Sequence, residues 1–200
     1  DLPRPDIKFQ LHQLSMASSH YADNRGARNI ADKMGLDSHP GFSIGTYVLR
    51  PESCGSVHVR HPDTSKPPEI RANYLSHEHD VSTMIAALRM IRKVASQPAL
   101  AQHIVRETRP GPAAADDDAL LDHVRKTGQT SYHPIGTCRM GNDAQAVVDA
   151  SLRVHGVEGL RVCDASIMPT MVGSNTNAPS IMIGEKASDL VLAAARGSRS

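Results

Sequence analysis

Three side chains beyond residue 130 have the types and the setting for chemistry on a small polar substrate. His133 lies in Ser131-Tyr132-His133-Pro134-Ile135-Gly136-Thr137-Cys138-Arg139-Met140-Gly141. An imidazole, with an unperturbed pKa of about 6.5, is available as a base near neutral pH. Pro134 stiffens the backbone beside it and Gly136 permits a tight turn, so this chain can hold the ring at a fixed point. Asn177 stands before Ala178-Pro179 and an apolar, periodic segment. Its amide can donate to a substrate oxygen or accept from a hydroxyl, but it cannot act as a base. Asn177, Asn175 or Ser174 can equally serve as the cap of the helix that follows. Asp164, after Leu160-Arg161-Val162-Cys163, reads as a turn-forming residue at a strand end.

The elements that must position these groups follow from periodicity. Asp6 to Leu14 alternates Ile7, Phe9 and Leu11 with polar residues, which predicts a half-buried strand. The segment 15–40 has no sustained period and reads as a long loop, with a short helix around 29–34. Strands are predicted at 42–49, 55–60 and 69–73, separated by the Pro- and Gly-containing turns 51–55 and 61–68. Residues 80–95 predict a helix with Val81, Met84, Ile85, Leu88, Ile91 and Val94 on one face. A flexible loop is expected at 109–115. Asp116, Asp117 and Asp118 favour a helix start, with Leu120, Leu121 and Val124 facing inward. Leu160 to Cys163 reads as a short buried strand. Ser180 to Ala195 reads as the last helix, with Ile183, Ala187, Leu190, Val191 and Ala194 on its stripe.

Composition excludes several function classes. The 200 residues are 40% apolar and 22% charged, with a net charge of +1, which argues against nucleic-acid or polybasic membrane partners. Aromatics are 3% and Trp is absent, so the core must rest on aliphatic side chains. Three cysteines, Cys54, Cys138 and Cys163, have no C-x-x-C spacing and read as reduced packing thiols, in keeping with a cytoplasmic, at most membrane-peripheral, setting. His58, His61, His77 and His79 match no zinc signature and are expected at the surface; no metal site is expected.

The stretch from Ser131 to Lys186 resembles the C-terminal signature of the glucose–methanol–choline (GMC) family of flavin-dependent alcohol oxidoreductases, and within it the choline-dehydrogenase-like members. The carrying residues are Tyr132-His133-Pro134-Ile135-Gly136-Thr137-Cys138-Arg139-Met140-Gly141, Asp164-Ala165-Ser166 and Asn175-Thr176-Asn177-Ala178-Pro179-Ser180, through Glu185-Lys186. Leu49-Arg50-Pro51 through Gly55-Ser56-Val57 and Asn73-Tyr74-Leu75-Ser76 resemble the family's substrate domain, with Cys54 where many members have Arg.

The resemblance implies an α+β fold: a mostly antiparallel sheet with flanking helices over 1–130, then a catalytic segment over 131–200 whose strand and helix complete the FAD domain. It implies oxidation of a primary alcohol, with His133 taking the hydroxyl proton and Asn177 orienting the substrate. Asp164, Ala165, Asn177, Ala178 and Pro179 would contact FAD, the helix start offering free N–H groups and a positive dipole end to an electron-rich cofactor. No G-x-G-x-x-G occurs among the fourteen glycines, and the chain opens at Asp1 without an initiator Met. The expectation is therefore the C-terminal part of a larger flavoenzyme, with FAD held by the full-length protein and not by this part alone. Its partners would be the N-terminal FAD-binding half, a small alcohol and an electron acceptor, and the exposed apolar surface of the part alone would favour self-association. The rival expectation is a non-catalytic binding or scaffolding module that retains the fold.

Overall fold

The computed structural model describes residues 4–15 and 36–197. The helix expected near 29–34 and most of the loop at 15–40 lie outside the described residues. The chain forms two compact units, one from Asp1–Val48 and Leu75–Ser131, the other from Leu49–Tyr74 and Tyr132–Ser200.

In the first unit, strands β1 (Ile7–His12) and β2 (Ser43–Val48) pair antiparallel, with Ile7 opposite Val48 and His12 opposite Ser43. The alternation in β1 does not translate into burial: Phe9 is 39% and Leu11 61% exposed. Helix α1 (Glu78–Ala95) packs on this ribbon. It begins two residues earlier than its apolar pattern, because His77 caps it by accepting the His79 N–H at Nδ1. Glu78 and Asp80 sit at its positive end and Arg92 and Lys93 at its negative end, each favourable to the dipole. Ala87, not one of the larger side chains, is its fully buried apolar residue; a small residue lets neighbouring chain approach closely.

A short turn of helix, α2 (Pro98–Ala101), and then α3 (Asp117–Thr127) also pack on α1. Asp116 caps α3 through the Ala119 N–H at 2.8 Å. The connection at 109–115 is not the flexible loop its composition predicts. Arg92 grips Glu107 through two nitrogens (2.8 and 3.1 Å) and donates to the carbonyls of Ala114 (2.7 Å) and Gly111 (3.0 Å). One half-buried guanidinium thus satisfies carbonyls that no helix or sheet reaches.

In the second unit, β3 (Ser56–His58) pairs antiparallel with β4 (Glu69–Arg71), and Glu69 bridges Arg60 and Arg71. Gly55 is required by close approach: a Cβ there would sit 2.1 Å from the Arg71 carbonyl oxygen. The expected sheet is therefore two separate two-stranded ribbons among the described residues. The core is formed by Val148, Leu152, Ile167, Met168, Ile183 and Ala187, with Ile135, Met140, Val162 and Leu190 packed against it. Ile183 and Ala187 come from α4 (Asn177–Gly197), which starts three residues before its predicted position. Val191, expected on its buried stripe, is 47% exposed. The strand expected at 160–163 is reduced to one isolated bridge, Arg153 to Arg161, and Leu160 is 50% exposed. Cys163 and Cys54 are exposed rather than packed; Cys138 is half-buried.

Leu120 of α3 is fully buried, whereas Val105 is 99% exposed. Leu120→Ala is expected to destabilise the first unit by about 2–5 kcal/mol, and Val105→Ala by no more than about 0.5 kcal/mol, measured by urea unfolding.

Candidate active site

The loop that carries His133 is fixed from three sides. Gly136 adopts φ +82, a left-handed conformation that a side chain would strain. Ile135, two residues beyond His133, packs against the core. The following backbone is then stitched to a 3₁₀ turn at Ala165–Ile167: the Cys138 N–H donates to the Ser166 carbonyl (3.0 Å) and the Met140 N–H to the Ile167 carbonyl (2.8 Å). Tyr132, immediately before the imidazole, holds φ +60. For a residue with a Cβ this conformation is uncommon and needs support from its surroundings.

Asp164 caps the 3₁₀ turn, its Oδ1 accepting the Ser166 N–H at 2.8 Å. The Ser166 hydroxyl and amide together hold its carboxyl below the usual carboxylate range, against a smaller opposing effect of burial. Asp164 is exposed, and Ala165 is half-buried against the core. Helix α4 packs on this turn.

At the start of α4, the Thr176 carbonyl accepts from the Ser180 N–H (3.0 Å) and hydroxyl (2.6 Å). Accepting the first intrahelical bond is the mark of the cap residue. The cap is therefore Thr176, while Asn177, Ala178 and Pro179 are the first three helical positions. Asn177 is thus not the cap, and its exposed amide is left for other work. Pro179 removes no helical bond, since N–H groups of the first turn have no intrahelical acceptor.

The contact that joins the two halves of the site was not anticipated from sequence. His133 Nδ1 lies 3.0 Å from Thr176 Oγ1, so the half-buried imidazole is tied to the residue before Asn177. Thr176 is 8% exposed. The signal that could have found it is a threonine directly before a helix start, a favoured cap type.

Upstream, a Cβ on Gly173 would lie 2.8 Å from Arg50 Nη2, and the buried Nε of Arg50 has no hydrogen-bond partner. Separately, the first N–H groups of a 21-residue helix, at the exposed Asn177 and Ala178, have no intrahelical acceptor. Such a helix start fits an electron-rich, hydrogen-bond-accepting group like a flavin. Among the described residues, no group of three or more His, Cys, Asp or Glu could hold a metal ion.

Because Asp164 titrates lower when folded, its contribution to stability is complete above about pH 3.8 and is lost as pH falls through its folded-state pKa. Asp164→Ala is expected to lower stability at pH 6, with the gap to the parent narrowing below pH 3.8, read from urea unfolding across a pH series.

Comparison with known proteins shows the family. The GMC oxidoreductase family profile matches residues 51–184. The chain is 43% identical over 152 residues to an alcohol dehydrogenase [acceptor] of Pseudomonas putida, covering 76% of this chain and 28% of that protein. It is 44% identical over 170 residues to an oxygen-dependent choline dehydrogenase of Escherichia coli, covering 85% of this chain and 29% of that protein. The fold is similar to a pyridoxine 4-oxidase from Mesorbium loti (TM-score 0.72, 32% identity, 77% of this chain and 30% of that one). It is also similar to a formate oxidase of Aspergillus oryzae studied for its FAD modification (TM-score 0.72, 27% identity, 81% of this chain and 29% of that one). The chain thus spans somewhat under a third of the length of the curated relatives it matches, and it belongs to the GMC oxidoreductase family.

Proposed function

We propose that this chain is the catalytic C-terminal segment of an FAD-dependent dehydrogenase that oxidises a primary alcohol of the choline-like class. The observation that carries the reading is the His133–Thr176 bond, which fixes an imidazole beside the helix start where Asn177 is exposed. His133 takes the hydroxyl proton of the alcohol, as neutral imidazole can near pH 7. Asn177 donates from its amide to the same oxygen, orienting the substrate and stabilising charge as the proton leaves. The flavin, when bound, supplies the acceptor for the hydride from the alcohol carbon. Ala178 and Pro179 would contact it through their backbone, while Asp164 and Ala165 would approach its ribityl-diphosphate side.

In this reading α4 and the 3₁₀ turn complete an FAD domain whose dinucleotide-binding part lies in sequence the relatives have and this chain does not span. A quaternary ammonium favours an aromatic cage, and this chain has four Tyr, two Phe and no Trp. It therefore supplies few walls for such a cage, and the substrate is assigned only to the alcohol class.

The test is the visible spectrum of the full-length protein, with its FAD-binding half present, and its bleaching by alcohols, repeated with His133→Ala. Flavin is expected in both, with the reduction rate of the variant lower by about 10²–10⁴. Equal bleaching in the variant would remove His133 from the chemistry. A full-length protein that takes up no flavin would sink the enzyme reading and leave a binding module.

A further inference from the structure

A histidine that acts as a base must have the right nitrogen bare. Among the described residues, Thr176 is the one hydrogen-bond partner of the His133 ring, and it meets Nδ1 at 3.0 Å; Nε2 has none. A threonine hydroxyl has one proton and two lone pairs, so it can donate to a bare Nδ1 or accept from Nδ1–H. The two arrangements have opposite consequences. Donation by Thr176 leaves the ring proton on Nε2, where no lone pair remains for a substrate. Acceptance by Thr176 puts the proton on Nδ1 and frees Nε2.

We propose that Thr176 is a positioning residue for the reaction: its hydroxyl accepts from the Nδ1–H of His133, fixing the tautomer and the ring plane so that Nε2 is the base. The proposal rests on the reading of His133 as that base. Both ends of the bond are held independently of it. Thr176 is buried, and its carbonyl is committed to the first turn of α4. His133 sits in the loop anchored by Ile135 and by the main-chain bonds of Cys138 and Met140. When Nε2 accepts the substrate proton, Nδ1 remains a donor and its bond becomes charge-assisted and stronger. The same contact therefore serves the ring before and after proton transfer, and no hydroxyl has to turn.

The test begins on the unaltered full-length protein loaded with flavin, with ¹⁵N NMR of the histidine rings and the His133 signals identified by their absence in His133→Gln. At pH 8 the proton is expected on Nδ1; a proton found on Nε2 would overturn the proposal without any variant at Thr176. Thr176→Val keeps the shape and removes the acceptor. It is expected to mix the tautomers, change the pH profile of alcohol-dependent flavin reduction and slow that step by about tenfold to a hundredfold at unchanged flavin content. Thr176→Ser, which keeps the hydroxyl, is expected to stay within about threefold of the parent. A Val variant with the parental tautomer and rate refutes the role of Thr176 and leaves His133 in place. A His133→Ala variant with the parental rate refutes the base itself.

Discussion

The site depends on irregular backbone that is satisfied locally. Residues 132–140 and 164–168 belong to no sheet, yet Ile167 and Met168 are buried, and peptide groups beside them must find partners or carry a desolvation penalty. They find them in each other: Cys138 and Met140 donate across to Ser166 and Ile167, and Asp164 closes the far end through Ser166. These bonds tie the two segments to each other, so they hold one geometry together. That geometry carries the imidazole at one end and the capped turn at the other.

The same logic explains why the second unit needs so little regular strand. Val148 makes a parallel bridge to Met140 and an antiparallel one to Val154, and Asp149 accepts from the N–H groups of Ser151 (2.8 Å) and Arg153 (2.9 Å). A carboxylate doing the work of a ladder lets the chain reverse within a few residues and keeps Leu152 in the core at φ +66. Nearby, the Arg139 guanidinium holds the Asp143 carboxyl down to about 2, so this pair stays ionised in all but strong acid. The pair is largely solvent-facing and adds order rather than much stability.

What the sequence made legible were the elements whose periodicity is long. Helices α1, α3 and α4 were readable from apolar spacing and from the acidic run at Asp116, with their starts displaced by up to three residues. The displacement at α4 has a specific cause: Asn, Ser and Thr are all good caps, and all four residues of Ser174-Asn175-Thr176-Asn177 are of these types. Only the Ser180 bonds to the Thr176 carbonyl decide among them. The short strands were legible in place but not in partnership, because a three-residue run such as Ser56–His58 does not reveal whether it joins a sheet or a ribbon. The order of the loop at 109–115 was hidden for a related reason. It comes from Arg92, fifteen or more residues away in sequence, and a Pro- and Gly-rich segment shows nothing of a distant guanidinium. The family resemblance drew attention to His133 and Asn177, but the bond between His133 and Thr176 is a matter of rotamers and needed coordinates.

Helix α4 shows how one element can serve both packing and chemistry. Ile183 and Ala187, four residues apart, face the core, while Ile181, Met182 and Leu192 are 60%, 58% and 53% exposed on other faces. A helix apolar on more than one side belongs inside a larger body, which accords with a chain that spans under a third of its curated relatives. Its N-terminus is meanwhile open, with Asn177 and Ala178 exposed, as the proposed role of its dipole end requires. The sequence separates these demands along the axis. Small and polar residues, Asn177, Ala178 and Ser180, occupy the first turn, and the large apolar side chains begin only at Ile181. Thr176 marks the junction, with its carbonyl in the helix and its hydroxyl on His133. A shift of α4 along its own axis would therefore pull directly on the imidazole, which links the packing of the helix to the alignment of the proposed base.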